Sequence, residues 1–172
     1  MSSDQSGMAI ERVRLRRVLP LDEGFAAIAS HLARMGRPAT ALCACELRSP
    51  AQFSDAGFAA FNAGYVDTLT RWGLFRDGIN PVARSNVCPE VGGPSEPSFH
   101  AFTFTVERDE PSPSFVVAGS GECPEGRDNY RDHIVRRGDL SPAAIAEKAR
   151  FVLAEMERRL GALGAGWADV TA

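Results

Sequence analysis

Along residues 8–18 the apolar positions Ile10, Val13, Leu15 and Val18 are interleaved with Glu and Arg, which predicts a β-strand with one wet face. Pro20 stops it. Phe25, Ile28, Ala29, Leu32 and Met35 then recur at steps of three and four, the spacing of a helix that Asp22 can cap and that Gly36 and Pro38 close. Residues 39–47 form an apolar run of strand length between Pro38 and Pro50, suited to a central place in a sheet. The set Phe58, Phe61, Tyr65, Leu69 and Trp72 predicts a second helix ending at Gly73.

Strands are expected at 81–88 and 99–106, separated by a Gly/Pro/Ser-rich connection, and a third at 115–119. Residues 122–139 are rich in Gly, Arg and Asp without periodicity, a long surface loop of the kind that often carries function. Ser141 and Pro142 open the longest helix, with Ile145, Ala149, Val152, Leu153, Met156 and Leu160 on one face. Its charged face, which includes Glu147, Lys148, Arg150, Glu155, Glu157 and Arg158, reads as solvated pairing at i,i+4 spacing.

Residues 31–44 echo residues 159–172. Leu32 meets Leu160, Gly36 meets Gly164 and Leu42 meets Val170, and both segments spell a helix that ends on Gly, turns and enters a strand. Such junctions also resemble one another by chance.

The chain of 172 residues is long enough for a real core without metal or disulfide staples. A net charge of -3, an acidic balance and a single lysine argue against a nucleic-acid partner or a ribonuclease. No apolar run is long enough for a membrane span and the polar start has no signal-peptide layout, so a cytoplasmic protein is expected. Cys43, Cys45, Cys88 and Cys123 read as buried free thiols; on a strand Cys43 and Cys45 share a face, which disfavours a bridge between them. No Cys or His spacing suits zinc, and neither a metal nor another cofactor is expected.

The run Phe58-Ala-Ala-Phe-Asn-Ala-Gly-Tyr, followed by Pro81-Val-Ala-Arg84-Ser85 and the strand from Phe99, resembles the second half of a YjgF-like (Rid, reactive intermediate deaminase) protein. Phe115-Val-Val-Ala-Gly-Ser-Gly-Glu and the helix after it resemble the first half of that family, so the features come in tandem or circularly rearranged order. The resemblance implies an α+β, chorismate-mutase-like mixed sheet backed by helices, in two parts: residues 1–110 with second-half features and residues 111–172 with first-half features. It also implies a homo-oligomer, commonly a trimer, and hydrolysis of imines or enamines of small 2-amino acids, with a 2-aminomuconate-type dicarboxylate as a specific version.

That hydrolysis requires a fixed substrate carboxylate, a placed water and a proton shuttle. By resemblance Arg84 is the substrate-binding arginine, and a planar guanidinium on a strand suits a carboxylate; pairing with a structural carboxylate would also account for it. Gly119 and Gly121 leave room for a ligand to approach the backbone, and Ser120 offers a hydroxyl there, although a turn-forming serine is the blander account. Glu122 is the candidate base or proton shuttle, against a solvated loop carboxylate. His100 stands where the family often has glutamate; it could move a proton near neutral pH or be an ordinary strand histidine. Asn86 takes the place of the family's cysteine two residues after Arg84 and could hydrogen-bond a ligand, while Asn62 and Tyr65 read as packing or capping residues. The competing function is a noncatalytic ligand-binding or assembly protein that keeps the Arg84 pocket without the chemistry.

Overall fold

The first strand, β1 (Ser6–Pro20), is longer than its apolar pattern and pairs antiparallel with β4 (Ser98–Asp109). The computed structural model describes residues 6–109, 112–127 and 129–171. Two units divide the chain, Met1–Val116 and Val117–Ala172.

In the first unit α1 (Leu21–Arg34) follows β1 directly, β2 (Leu42–Arg48) follows a 3-10 turn at Ala39–Ala41, and α2 (Asp55–Arg71) connects β2 to β3 (Ala83–Val87). The sheet order is β1-β4-β2-β3; β4 pairs antiparallel with both β1 and β2, whereas β2 and β3 are parallel. Joining parallel neighbours demands a crossover, and α2 supplies it. The fold is therefore α+β, a mixed four-stranded sheet backed by helices, as expected of the chorismate-mutase-like class.

Both helices pack on one face of the sheet. Phe25, Ile28 and Leu32 of α1 and Tyr65 and Leu69 of α2 meet Cys45 and Leu47 of β2 and Phe99, Phe102 and Phe104 of β4. Each such large apolar side chain contributes roughly 1.5–3 kcal/mol by leaving water. Phe25 is the hub, with ring centroids 4.9 Å from Phe99, 5.4 Å from Trp72 and 5.6 Å from Tyr65. Gly24, one residue earlier, is required there: a Cβ at that position would collide with the Phe99 ring.

Local chemistry departs from the sequence pattern in four places. Asp22 lies in the first turn of α1, where its charge faces the helix dipole, but Pro20 is the N-cap and no side chain caps the helix. Residues 39–41 are turn, so β2 starts later than the apolar run. The β2–β4 register slips between Leu42 and Ala44, which interrupts simple alternation at Cys43; Cys43 is half-buried, Cys45 buried, and Cys88 exposed instead of buried. All four cysteines are free.

Residues 115–119, across which the division between the two units falls, form no strand. The carbonyls of Ala118 and Gly119, which a ladder would use, accept instead from Arg159 Nη1 at 2.7 and 2.8 Å. Residues 122–139 run through turns and bends, as expected. The long helix, α3 (Pro142–Ala162), has Ser141 as N-cap, accepting from the Ala144 N–H, and Pro142 in its first turn. Among the described residues no helix is long and apolar enough to cross a membrane.

The echo between the two halves has a structural counterpart. At the end of α1 the Arg37 N–H bonds Leu32 O and the Gly36 N–H bonds Ala33 O; at the end of α3 the Ala165 N–H bonds Leu160 O and the Gly164 N–H bonds Gly161 O. Gly36 and Gly164 hold the left-handed conformation this termination needs, at φ 65° and 70°. Helix α2 ends in the same way, so the termination alone is not distinctive. Only α1 and α3 continue into a 3-10 turn at matching positions, Ala39–Ala41 and Trp167–Asp169, where the sequence reading placed strand.

Candidate functional site

Residues Phe58, Asn62 and Tyr65 lie on one stripe of α2 by helical spacing, with Phe61 beside them. Arg84 on β3, the edge strand, stands opposite Cys45 in the parallel ladder and so points to the helix-covered face. Its guanidinium carbon is 4.7 Å from the Tyr65 ring centroid, 5.6 Å from Phe61 and 5.7 Å from Phe58. Nη1 donates to Asn62 Oδ1 at 3.0 Å. Arg84 is half-buried, and among the described residues no carboxylate lies within ion-pair distance of it. The aromatic stripe and one amide fix the guanidinium and leave the rest of its planar donor fork for a ligand.

Beneath it the environment is apolar. Tyr65 is fully buried and its hydroxyl has no hydrogen-bond partner, the neighbouring Cys45 thiol not meeting hydrogen-bond geometry. Burial pushes the Cys45 thiol up to about 12, against the pull of Tyr65 and the Arg84 charge. Burial also raises the Tyr65 hydroxyl above its usual range. Both groups are neutral at physiological pH, which makes Cys45 an inert thiol and not a nucleophile. Two residues beyond Arg84, Asn86 is exposed and its Oδ1 accepts from Ser49 Oγ at 2.9 Å, which leaves its amide N–H groups available.

His100 is not brought together with Arg84. It is the extra residue where β4 slips against β2, between Phe99 opposite Leu47 and Ala101 opposite Glu46. Its charged neighbours are Arg48, Glu46, Arg14 and Arg12, and burial followed by Arg48 lowers its pKa while Glu46 opposes them. Arg12 and Glu46 form a two-point pair, with Arg12 Nη2 on Glu46 Oε2 at 2.8 Å, and the Arg12 hydrogen bond holds the Glu46 carboxyl below its usual range. Glu46 adjoins Cys45 on its strand and therefore faces the other side of the sheet. Within the unit the sheet stands between His100 and Arg84.

In the second unit Ser120 Oγ donates to Gly121 O at 3.2 Å. Gly119 is exposed with its carbonyl held by Arg159, and a Cβ at Gly121 would meet open space. Glu122 Oε1 is 3.3 Å from Lys148 Nζ, and its backbone carbonyl accepts from the Val135 N–H at 2.9 Å. In the loop, Arg136 pairs with Asp139 and Glu147. Among the described residues no group of His, Cys, Asp and Glu could hold a metal ion.

Sequence reasoning missed the Asn62–Arg84 bond and gave Phe58, Phe61 and Tyr65 to ordinary core. The available signal was an amide set within a run of aromatics at helical spacing. It also left Lys148 on a solvated face and did not single out Arg159, whereas their side chains are only 18% and 15% exposed.

A protein-family model described as 2-aminomuconate deaminase CnbZ matches residues 3–172. A 2-amino-5-chloromuconate deaminase from Comamonas testosteroni is 51% identical over 167 residues, which is 96% of this chain and 66% of that protein. The chain thus spans just under two thirds of that relative's length. No solved structure matches.

Proposed function

Since the chain belongs to the 2-aminomuconate deaminase CnbZ family, we propose that it is a hydrolytic deaminase of small imine or enamine carboxylic acids, of the 2-aminomuconate type. The observation that carries this reading is the Arg84 guanidinium, half-buried on three aromatic rings, tethered by Asn62 and without an ion-pair partner among the described residues. The relative's name supports the dicarboxylate version of the substrate.

The reaction needs no redox step. The enamine acid tautomerises to its imine, water adds to the C=N carbon, and the resulting carbinolamine expels ammonia to leave the 2-oxo acid. Arg84 takes the carboxylate beside the reacting carbon through its remaining N–H donors, which fixes the carbon and favours the anionic substrate. The Asn86 amide supplies a neutral donor along the same strand. Glu122 accepts the proton of the attacking water and returns it to the departing nitrogen. His100 is given no step with Arg84, because the sheet separates them.

This reading includes a cytoplasmic homo-oligomer, trimeric by the resemblance, and a tandem or circularly rearranged order of halves, which the matched helix ends of α1 and α3 support. Purified protein given 2-aminomuconate generated in the cuvette is expected to release ammonia faster than the uncatalysed hydrolysis. Saturable binding of the dicarboxylate with no such release would make it the noncatalytic ligand-binding protein instead. Neither binding nor release would refute both readings. Light scattering that gives a monomer mass under assay conditions would remove the oligomer from the proposal.

A further inference from the structure

Two cations of α3 turn inward, three helical turns apart, onto the segment that carries the candidate proton shuttle. Arg159 Nη1 donates to the carbonyls of Ala118 and Gly119, and its Nη2 lies 2.6 Å from Glu125 Oε1. Lys148 Nζ lies 3.3 Å from Glu122 Oε1. Arg159 thus holds the backbone before Glu122, and Lys148 holds its carboxylate.

Lys148 is the one lysine of the sequence. A lysine on a solvated helix face keeps its ammonium in water and its long side chain mobile, whereas here the side chain is 18% exposed. Glu122 lies on irregular backbone, where the Val135 N–H bond to its carbonyl fixes the main chain but not the carboxylate. We propose that Lys148 is a positioning residue that holds the Glu122 carboxylate in its working orientation, an inference that rests on the proton-shuttle role given to Glu122 above. A general base contributes through its placement relative to the proton it takes, so the loss on freeing it falls on kcat more than on KM.

The experiment is ammonia release from 2-aminomuconate by wild type, Lys148→Met, Lys148→Arg, Glu122→Gln and the Lys148→Met/Glu122→Gln double variant. Lys148→Met is expected to lower kcat about tenfold with KM within about twofold, Lys148→Arg to restore most of the rate, and Lys148→Met to cost nothing further once Glu122 is Gln. Should the Met variant not fold, Lys148→Gln is read in the same way. A readout independent of turnover comes from the single lysine: protein carrying 13C at lysine Cε gives one side-chain resonance, which Glu122→Gln is expected to shift. The inference is overturned if Glu122→Gln is impaired while Lys148→Met keeps the wild-type rate. An undiminished Lys148→Met loss in the Glu122→Gln background, or an unmoved Cε resonance, overturns it too. A wild-type rate in Glu122→Gln has a different meaning: it removes the shuttle role itself, and the positioning role with it.

Discussion

Replacing Arg84 by alanine removes a guanidinium that is seated on Phe58, Phe61 and Tyr65 and bonded to Asn62. The substrate loses a charge-assisted contact of about 1.5–3 kcal/mol, so kcat/KM for 2-aminomuconate falls by about 10- to 150-fold. The fold loses less. The cation over these rings, of which Tyr65 is buried and Phe58 exposed, contributes about 0.5–2 kcal/mol, and the edge position of β3 lets water replace the side chain, so the unfolding midpoint drops by only a few degrees, at about 2–4 °C per kcal/mol for a chain of this size. Arg84→Lys keeps the charge but supplies a single ammonium, which cannot bond Asn62 and a carboxylate with the geometry of a planar fork, so it recovers less than half of the logarithmic loss. The assay is the initial rate of ammonia release at subsaturating substrate, with thermal unfolding of each variant measured alongside. If Arg84→Ala stays folded and works within about twofold of wild type, the carboxylate is held elsewhere and the reasoning fails.

Three further outcomes are expected. Gly24→Ala drives a methyl group into the Phe99 ring and lowers stability by about 1–3 kcal/mol, read as a shift of the urea midpoint. Tyr65→Phe removes a buried hydroxyl without a partner and leaves the ring under Arg84, so the midpoint is expected to rise or stay level, and a marked fall would reveal a partner for that hydroxyl. Arg12 lowers the Glu46 carboxyl in the folded state, so the pair stabilises above the unfolded carboxylate range and that contribution is lost as pH falls through the lowered folded value. Glu46→Gln should therefore narrow the gap in unfolding midpoint between about pH 6 and about pH 3, and an unchanged gap would count against the pair's role in acid sensitivity.

Periodicity was enough for α1, α2 and α3, because an apolar stripe at helical spacing with a Gly exit has few other solutions, and the helix ends at Gly36, Gly73 and Gly164 fall where the residues place them. Residues 115–119 show the limit of that logic. Val and Phe favour a strand, but strand formation needs a partner ladder, and Arg159, far off in sequence, occupies the carbonyls instead. Residues 39–41 fail in the same way, an apolar run taken up by a turn. At the candidate site the pattern put Arg84 on a strand and only the resemblance singled it out, whereas the stripe that orients it was read as core because an aromatic on a helix has the same spacing in either role. The face that His100 takes was not legible for a topological reason: it depends on register, and a one-residue slip between Phe99 and Ala101 is invisible in the pattern.

The matched junctions after α1 and α3 amount to interchangeable parts. Because residues 32–41 and 160–169 close their helices with the same pair of backbone bonds and the same following turn, each set by a left-handed glycine and not by the side chains around it, a graft of one stretch into the place of the other preserves the direction in which the chain leaves its helix.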